Sequence, residues 1–234
     1  VLNSDVQLMR YVWAAAGYSL TGHTREQKFF FLYGTGRNGK STFMTTLMNI
    51  MGPYAARTQA ETLMMDKKGR RPGEASSDLA VLRGKRFIAS AEIPKGAALN
   101  EALIKGFTGN EIITCRPMYK EEIQYMPEGK VWIGGNYKPR IEGLDEGIWR
   151  RPQLIPFTVY IPDEKLDKDL GAKLEAEREG ILAWLVKGAS FWYDAGLPPC
   201  AIVDQATEQY RFDEDPLSSF VETCIVKSET TMTS

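Results

Sequence analysis

Phe29-Phe30-Phe31-Leu32-Tyr33 runs directly into Gly34-Thr35-Gly36-Arg37-Asn38-Gly39-Lys40-Ser41-Thr42, and this stretch decides the fold. A run of five large apolar or aromatic side chains bounded by glycine leaves no polar face for water. It predicts a strand buried on both sides, the central strand of a parallel sheet. Beyond Lys40, the residues Phe43, Met44, Leu47, Met48 and Met51 recur at steps of three and four and stop at Gly52-Pro53. That spacing predicts a helix of about three turns. Between the two, Gly34 to Ser41 satisfies GxxxxGK[ST] in full, in the strand, glycine-rich loop, helix order that distinguishes a phosphate cradle from an ordinary turn. The glycines let successive N–H groups point inward, and the helix adds its positive end, so a polyanion is stabilised without a buried cluster of cations. Lys40 supplies a mobile ammonium for the outer phosphates and Ser41 a hydroxyl for Mg²⁺, which makes ATP and Mg²⁺ the expected cofactors.

Working outward, Val6, Met9, Val12, Trp13 and Ala16 carry a helical spacing from about residue 4 to Gly17. Downstream, Arg86 to Ala91 reads as a second buried strand ending at Glu92, and a helix runs from Leu99 to about Phe107. Apolar and polar residues alternate from Glu111 to Tyr125 on both sides of Arg116-Pro117-Met118-Tyr119-Lys120, the pattern of a β-hairpin with a basic tip. Lys130 to Ile133 and Pro152 to Phe157 read as further strands. After residue 160 the pattern becomes helical, with Ile181, Leu182, Leu185, Ala189 and Trp192 on one face. The expected architecture is α/β: a P-loop parallel sheet flanked by helices, with a short N-terminal helical preface and a C-terminal helical segment. The boundaries read as 1–27 for the preface, 28–160 for the ATPase core, 161–226 for the helical segment and 227–234 for a polar tail. Val1 at one end and that tail at the other give the expectation of a piece cut from a longer protein.

The bulk composition narrows function. Twenty-nine Lys and Arg balance 30 Asp and Glu, so no global positive field draws the chain to nucleic acid, and any such contact is local. One basic run, Lys67, Lys68, Arg70, Arg71, Arg83, Lys85 and Arg86, is equally readable as a solvated loop. Cys115, Cys200 and Cys224 form neither a disulfide framework nor a zinc knuckle, and the lone His23 has no sequence neighbour with which to build a triad. The longest apolar stretches fall far short of the ~20 residues of a membrane span, so a cytoplasmic protein with no membrane partner is expected.

Hydrolysis needs an oriented water, and Glu92, at the end of the second strand, is the candidate. A strand-end glutamate is also an ordinary exposed residue. Asn136, after Gly134-Gly135, could hydrogen-bond the same water or the terminal phosphate, although asparagine after glycine is also usual turn chemistry. Arg150 and Arg151 could stabilise transition-state charge in a neighbour's site or serve as salt-bridge partners. Tyr119 could stack on a base, although an aromatic residue in a hairpin more often packs.

Taken in order, GTGRNGKSTF, GKRFIASAE, LIKGFTGNEIITCRPMYK, VWIGGNYKP and EGIWRRPQLIPF resemble the superfamily 3 helicase domain of phage and plasmid primase-helicases, over about Leu8 to Val226. The resemblance implies a modified AAA+ core, assembled as a ring, commonly a hexamer, moving 3′ to 5′ on single-stranded DNA beside a primase domain in the same full-length chain. It implies Gly34 to Thr42 as Walker A, Glu92 as the Walker B acid, acting on Mg²⁺, on water or on both, and Asn136 as the sensor. Arg151 becomes the finger reaching an adjacent subunit, with Arg150 as its substitute, and Lys105, Arg116 and Lys120 become DNA contacts. Many viral members carry two adjacent acids where this chain has Ala91-Glu92. The competing functions are a P-loop kinase, an ATP-gated assembly module that unwinds nothing, and a viral RNA helicase of the same superfamily.

Overall fold

The computed structural model describes residues 2–66, 75–90 and 92–215. Lys67, Lys68, Arg70, Arg71, Ala91, Cys224 and the tail at 227–234 lie outside them. In chain order the elements are α1 (Val6–Tyr18), β1 (Phe29–Tyr33), α2 (Lys40–Met51), β2 (Ala55–Thr58), α3 (Ala60–Leu63), α4 (Ser77–Ala80), β3 (Phe87–Ser90) and α5 (Glu101–Gly109). They continue with β4 (Ile113–Cys115), β5 (Ile123–Tyr125), β6 (Lys130–Gly135), α6 (Glu146–Trp149), β7 (Pro152–Pro156), α7 (Leu170–Ala176), α8 (Arg178–Ala195) and α9 (Ala201–Glu214).

Five strands form one parallel sheet in the order β2-β3-β6-β1-β7. β1 is interior, paired with β6 on one side and β7 on the other, but β6 and not β1 is the middle strand. The strand missed by pattern reading is β2. Its four residues, Ala-Ala-Arg-Thr, form an edge strand that is only partly covered and so carries no apolar run. Alternation along β1 explains why both faces need cover. Phe30 and Leu32 join Phe87, Trp132 and Ile155 against α1, α2 and α8, whereas Phe29 and Phe31 join Val131, Ile133 and Leu154 against α5, α6 and α9. Phe30 and Phe87 stack on the Trp132 ring at 4.3 and 5.6 Å. The result is a P-loop NTPase-like fold. The hairpin reading is matched by β4 and β5, antiparallel with Ile113 opposite Tyr125.

Helix α1 differs from its sequence reading in the face it buries. Val6 and Met9 are exposed, while Leu8, Tyr11, Val12 and Ala14 to Tyr18 go inward. Its stretch from Ala14 to Gly17 is small because the partner there is a backbone. A Cβ on Gly17 would lie 2.2 Å from Ala189 N, and one on Gly188 would lie 2.7 Å from Trp13 O. Helices that meet this closely exchange many weak contacts and tolerate no added methyl. Likewise α8 buries Leu185, Gly188 and Trp192, leaving Leu182 exposed.

At the start of β6, Lys130 is 1% exposed and donates to the carbonyls of Thr21, His23 and Glu128, with its ammonium 4.8 Å from the Tyr18 ring. Burial, assisted by the nearby Arg86, pushes this ammonium down from 10.5 to about 7, against the pull of Glu128.

Gly17→Ala should destabilise the fold by about 1–3 kcal/mol, read as a lowered urea midpoint. A second expectation concerns pH. Between about 7 and 10.5 the unfolded chain binds more protons at Lys130 than the folded one, so its contribution is complete above the unfolded value and lost as pH falls through the folded one. Stability of the wild type should therefore rise from pH 7 to 9 by up to about 1.4 kcal/mol per unit relative to Lys130→Met. Parallel pH dependences in urea titrations would refute this.

Candidate nucleotide-binding site

The loop between β1 and α2 is shaped by backbone conformations that favour glycine. Gly36 and Gly39 sit at φ 105° and 82°, and Arg37 at 47° shares the left-handed region. Gly34 is required for space: a Cβ there would lie 2.2 Å from both Asn38 Nδ2 and the Phe157 carbonyl. The loop delivers its N–H groups to the first turn of α2, whose N-cap is Gly39. In parallel strands the carboxyl ends share one edge, so Ser90 and Glu92 after β3 and Asn136 after β6 arrive beside the loop.

Hydrogen bonds join them into a chain. Lys40 Nζ donates to Gly34 O at 2.7 Å, Asn38 Oδ1 at 2.9 Å and Asn136 Oδ1 at 3.2 Å. Asn136 Nδ2 donates to Glu92 Oε1 at 2.7 Å, and Asn38 Nδ2 to Phe157 O at 2.8 Å. Burial lowers the Lys40 ammonium from its ordinary value, and the carboxylate of Glu92 acts in the opposite sense. Three oxygen acceptors around a buried cation leave an ammonium prepared to exchange acceptors for phosphate oxygens at little reorganisation cost. Ser41 and Glu92 are both exposed toward the cavity. Among the described residues no group of three metal-ligating side chains occurs, so a Mg²⁺ ion here would draw most of its oxygens from phosphates and water.

The cavity encloses about 1280 Å³. Besides the loop it is lined by Arg57, Ser90, Lys165 and Trp184, none of which pattern reading singled out. No local signal marks Trp184, because it enters from α8, far along the chain. The Arg37 side chain pairs with Asp163 at 2.5 Å and the Arg37 carbonyl accepts from the Ile161 N–H, which ties the loop to the segment beyond β7.

The other predicted residues are elsewhere. Arg150 and Arg151 precede β7 at the amino end of the sheet, roughly 16 Å of strand from the loop. Arg151 is only 5% exposed, and its guanidinium donates to Thr108 Oγ1 and the Gly147 carbonyl. Arg150 is exposed and donates to Gln27. The single chain therefore presents Arg150 on this face, not Arg151. Lys105, on α5, is paired with Asp145 at 2.9 Å. Arg116 and Lys120 are exposed at the β4–β5 tip, and Tyr119 between them is 96% exposed at φ 59°, so it does not pack as a hairpin aromatic usually does. The tip is nonetheless held. Ser76 N donates to Arg116 O, Arg116 N to Ser76 Oγ and Met118 N to Ser77 Oγ, at 2.8 to 2.9 Å. Among the described residues no helix is long and apolar enough to cross a membrane.

The chain is 28% identical over 247 residues to the protein named "Putative helicase L207/L206" of Acanthamoeba polyphaga mimivirus, covering 98% of the chain and 26% of that protein. It is 26% identical over 248 residues to "Putative helicase 022R" of Frog virus 3, covering 95% and 25%. With "Primase D5" of Fowlpox virus the identity is 23% over 146 residues, covering 61% and 18%. The chain thus spans about a quarter, or less, of the length of these curated relatives. The apo structure of the NrS-1 C terminal region shares its fold, with a TM-score of 0.62 at 14% identity over 97% of this chain and 57% of that one. The family described as "Family of unknown function (DUF5906)" matches residues 32–151, which carry the end of β1, the glycine-rich loop, Glu92, the hairpin, Asn136 and both arginines, and the chain belongs to that family.

Proposed function

We propose that this chain is the ATP-hydrolysing motor of a superfamily 3 DNA helicase, moving 3′ to 5′ on single-stranded DNA as a ring, with a hexamer and an attached primase as the expected setting. The observation that carries the reading is the hydrogen-bonded line from Lys40 through Asn136 to Glu92, at the mouth of a glycine-lined helix N-terminus. Residues 34–42 hold the phosphates, Lys40 neutralises the outer ones, and Glu92 orients the attacking water while Asn136 fixes its carboxylate. Ser41, with Glu92, would hold Mg²⁺, which when bound would supply charge neutralisation on the phosphate oxygens.

We infer completion across a protomer boundary, and the placement of the arginines supports it. The arginines at the amino end of β7 are too far from their own loop to serve it, so Arg150 is assigned to a neighbour's terminal phosphate, where a finger contributes roughly 10³ to 10⁵ in rate. Arg151, buried behind it, braces α5 and α6. For DNA, the exposed and anchored tip with Arg116, Tyr119 and Lys120 is favoured over Lys105, whose charge Asp145 already engages. A near-neutral chain suffices, because a ring needs cations only where its bore meets phosphates.

Lys40→Ala should lower ATP turnover by about two orders of magnitude or more, measured as phosphate release. A kinase would instead transfer label to an acceptor. Strand displacement on a 3′-tailed duplex separates a motor from an assembly module, and RNA in place of DNA tests the RNA-helicase alternative. At the hairpin, Lys120→Ala should reduce both DNA stimulation of turnover and the slope of log affinity against log salt, the latter by about 0.7 for each phosphate the lysine had neutralised. Tyr119→Ala should weaken binding by about 1–3 kcal/mol while leaving that slope in place. Stimulation equal to wild type in Lys120→Ala would reject the hairpin as the DNA-binding element.

A further inference from the structure

The pattern GxxxxGK[ST] places no demand on the residue before its second glycine, yet the residue there is only 3% exposed and uses both ends of its amide. Asn38 Nδ2 donates to the Phe157 carbonyl at 2.8 Å, and Asn38 Oδ1 accepts from Lys40 Nζ at 2.9 Å. The opposite amide orientation would turn NH₂ toward an ammonium and oxygen toward a carbonyl, so the chemistry of the two neighbours fixes it. Few side chains meet the demand. Aspartate lacks the donor, leucine lacks both groups, and glutamine is one methylene longer.

Phe157 is itself registered to the sheet, because its N–H donates to the Tyr33 carbonyl at 2.7 Å. Through Asn38, the end of β7 therefore sets where the Lys40 ammonium stands relative to β1 and α2. The lack of room for a side chain at Gly34 has the same origin, since Asn38 Nδ2 and Phe157 O occupy the space a Cβ would need. Of the other two acceptors on Lys40, Gly34 O belongs to the loop itself, and Asn136 Oδ1 is the more distant at 3.2 Å and also holds Glu92 through its amide.

We propose that Asn38 is a positioning residue: a rigid strut from Phe157 that aims the Lys40 ammonium into the cradle, not a ligand of the phosphates in its own right. This rests on the reading of the loop as a triphosphate site. It adds a side-chain determinant that the motif does not specify.

The test uses nucleotide-free protein labelled with ¹⁵N-lysine, because a buried, hydrogen-bonded ammonium exchanges slowly enough to give its own Nζ–H signal. Lys40→Arg assigns the signal. In Asn38→Leu, which has neither donor nor acceptor, the Lys40 signal should broaden beyond detection. In Asn38→Asp, which keeps an oxygen toward Lys40 but loses the amide donor to Phe157, it should shift and weaken, because that oxygen is no longer anchored. Thermal melts establish that each variant is folded, and Asn38→Ser replaces the leucine variant should that one fail to fold. A signal retained in Asn38→Leu, or in Asn38→Ser if used instead, or unchanged in folded Asn38→Asp, overturns the strut. Titration with Mg-ADP on the same samples should show affinity reduced about 10- to 100-fold in the variant that loses the signal. Equal affinity there overturns the link to phosphate. Wild type that binds no Mg-ADP would remove the nucleotide reading and the purpose assigned to Asn38 with it, whereas an adverse lysine spectrum with intact wild-type binding removes the strut alone.

Discussion

A buried ammonium must find oxygen, and the arrangement of oxygens around Lys40 governs the rest of this molecule. One acceptor comes from the loop's own backbone, one from Asn38 and one from Asn136 at the end of β6. Each sits where a strand ends or a helix begins, so the cation is satisfied only when β1, β6, β7 and α2 are in register. The cost of desolvating Lys40 is offset by this convergence, and any slip of the sheet would leave the charge unpaired. Chemistry and folding thus place the same demand on the same residues.

The sheet order explains why the site lies where it does. β1 is entered from one side and left toward β2 at the far edge, and the chain returns through β3 and β6 before passing to β7 beyond β1. The reversal opens a crevice at the carboxyl ends, and the loop, Glu92 and Asn136 all line it. Two hydrophobic clusters, one for each face of β1, hold the strands rigidly, while the pair Arg150 and Arg151 is delivered to the opposite end. On the proposed reading, one sheet would carry two functional edges facing different ways, an arrangement that suits copies placed side by side.

How much of this was legible depended on whether a residue's role is local. Phe29 to Tyr33 and the glycine loop announce themselves because burial on both faces and a phosphate cradle both leave marks within a few residues. Glu92 and Asn136 were findable because strand ends in a parallel sheet converge. β2 was not, since Ala-Ala-Arg-Thr pairs at an edge and needs no apolar run. Nor was the α1–α8 contact, where close approach at Gly17 and Gly188 replaces large side chains with alanines and makes exposed Val6 and Met9 the misleading signal. Lys130, at the first position of a strand, carries no local mark of its burial, because its three carbonyl partners come from Glu128 and the distant loop at Thr21 and His23. Tyr119, for which stacking and packing were both open, is turned into solvent by the left-handed tip.

Stability is unevenly spread around the cavity. Between Phe157 and Leu185 no residue is buried, and α7 contributes nothing to any hydrophobic cluster. Such a segment gains little from the hydrophobic effect, so its local opening free energy is small compared with that of the sheet. Its attachment to the loop runs through Arg37, by the Ile161 N–H to its carbonyl and by an exposed pair with Asp163 that is worth little in water. Trp184 is held separately on α8, where its carbonyl accepts from Trp13 Nε1, but the side of the cavity at Lys165 is tied to the conformation of a single loop residue held at positive φ. Whatever shifts Arg37 shifts that side, while the opposite wall, built from strand ends, stays fixed.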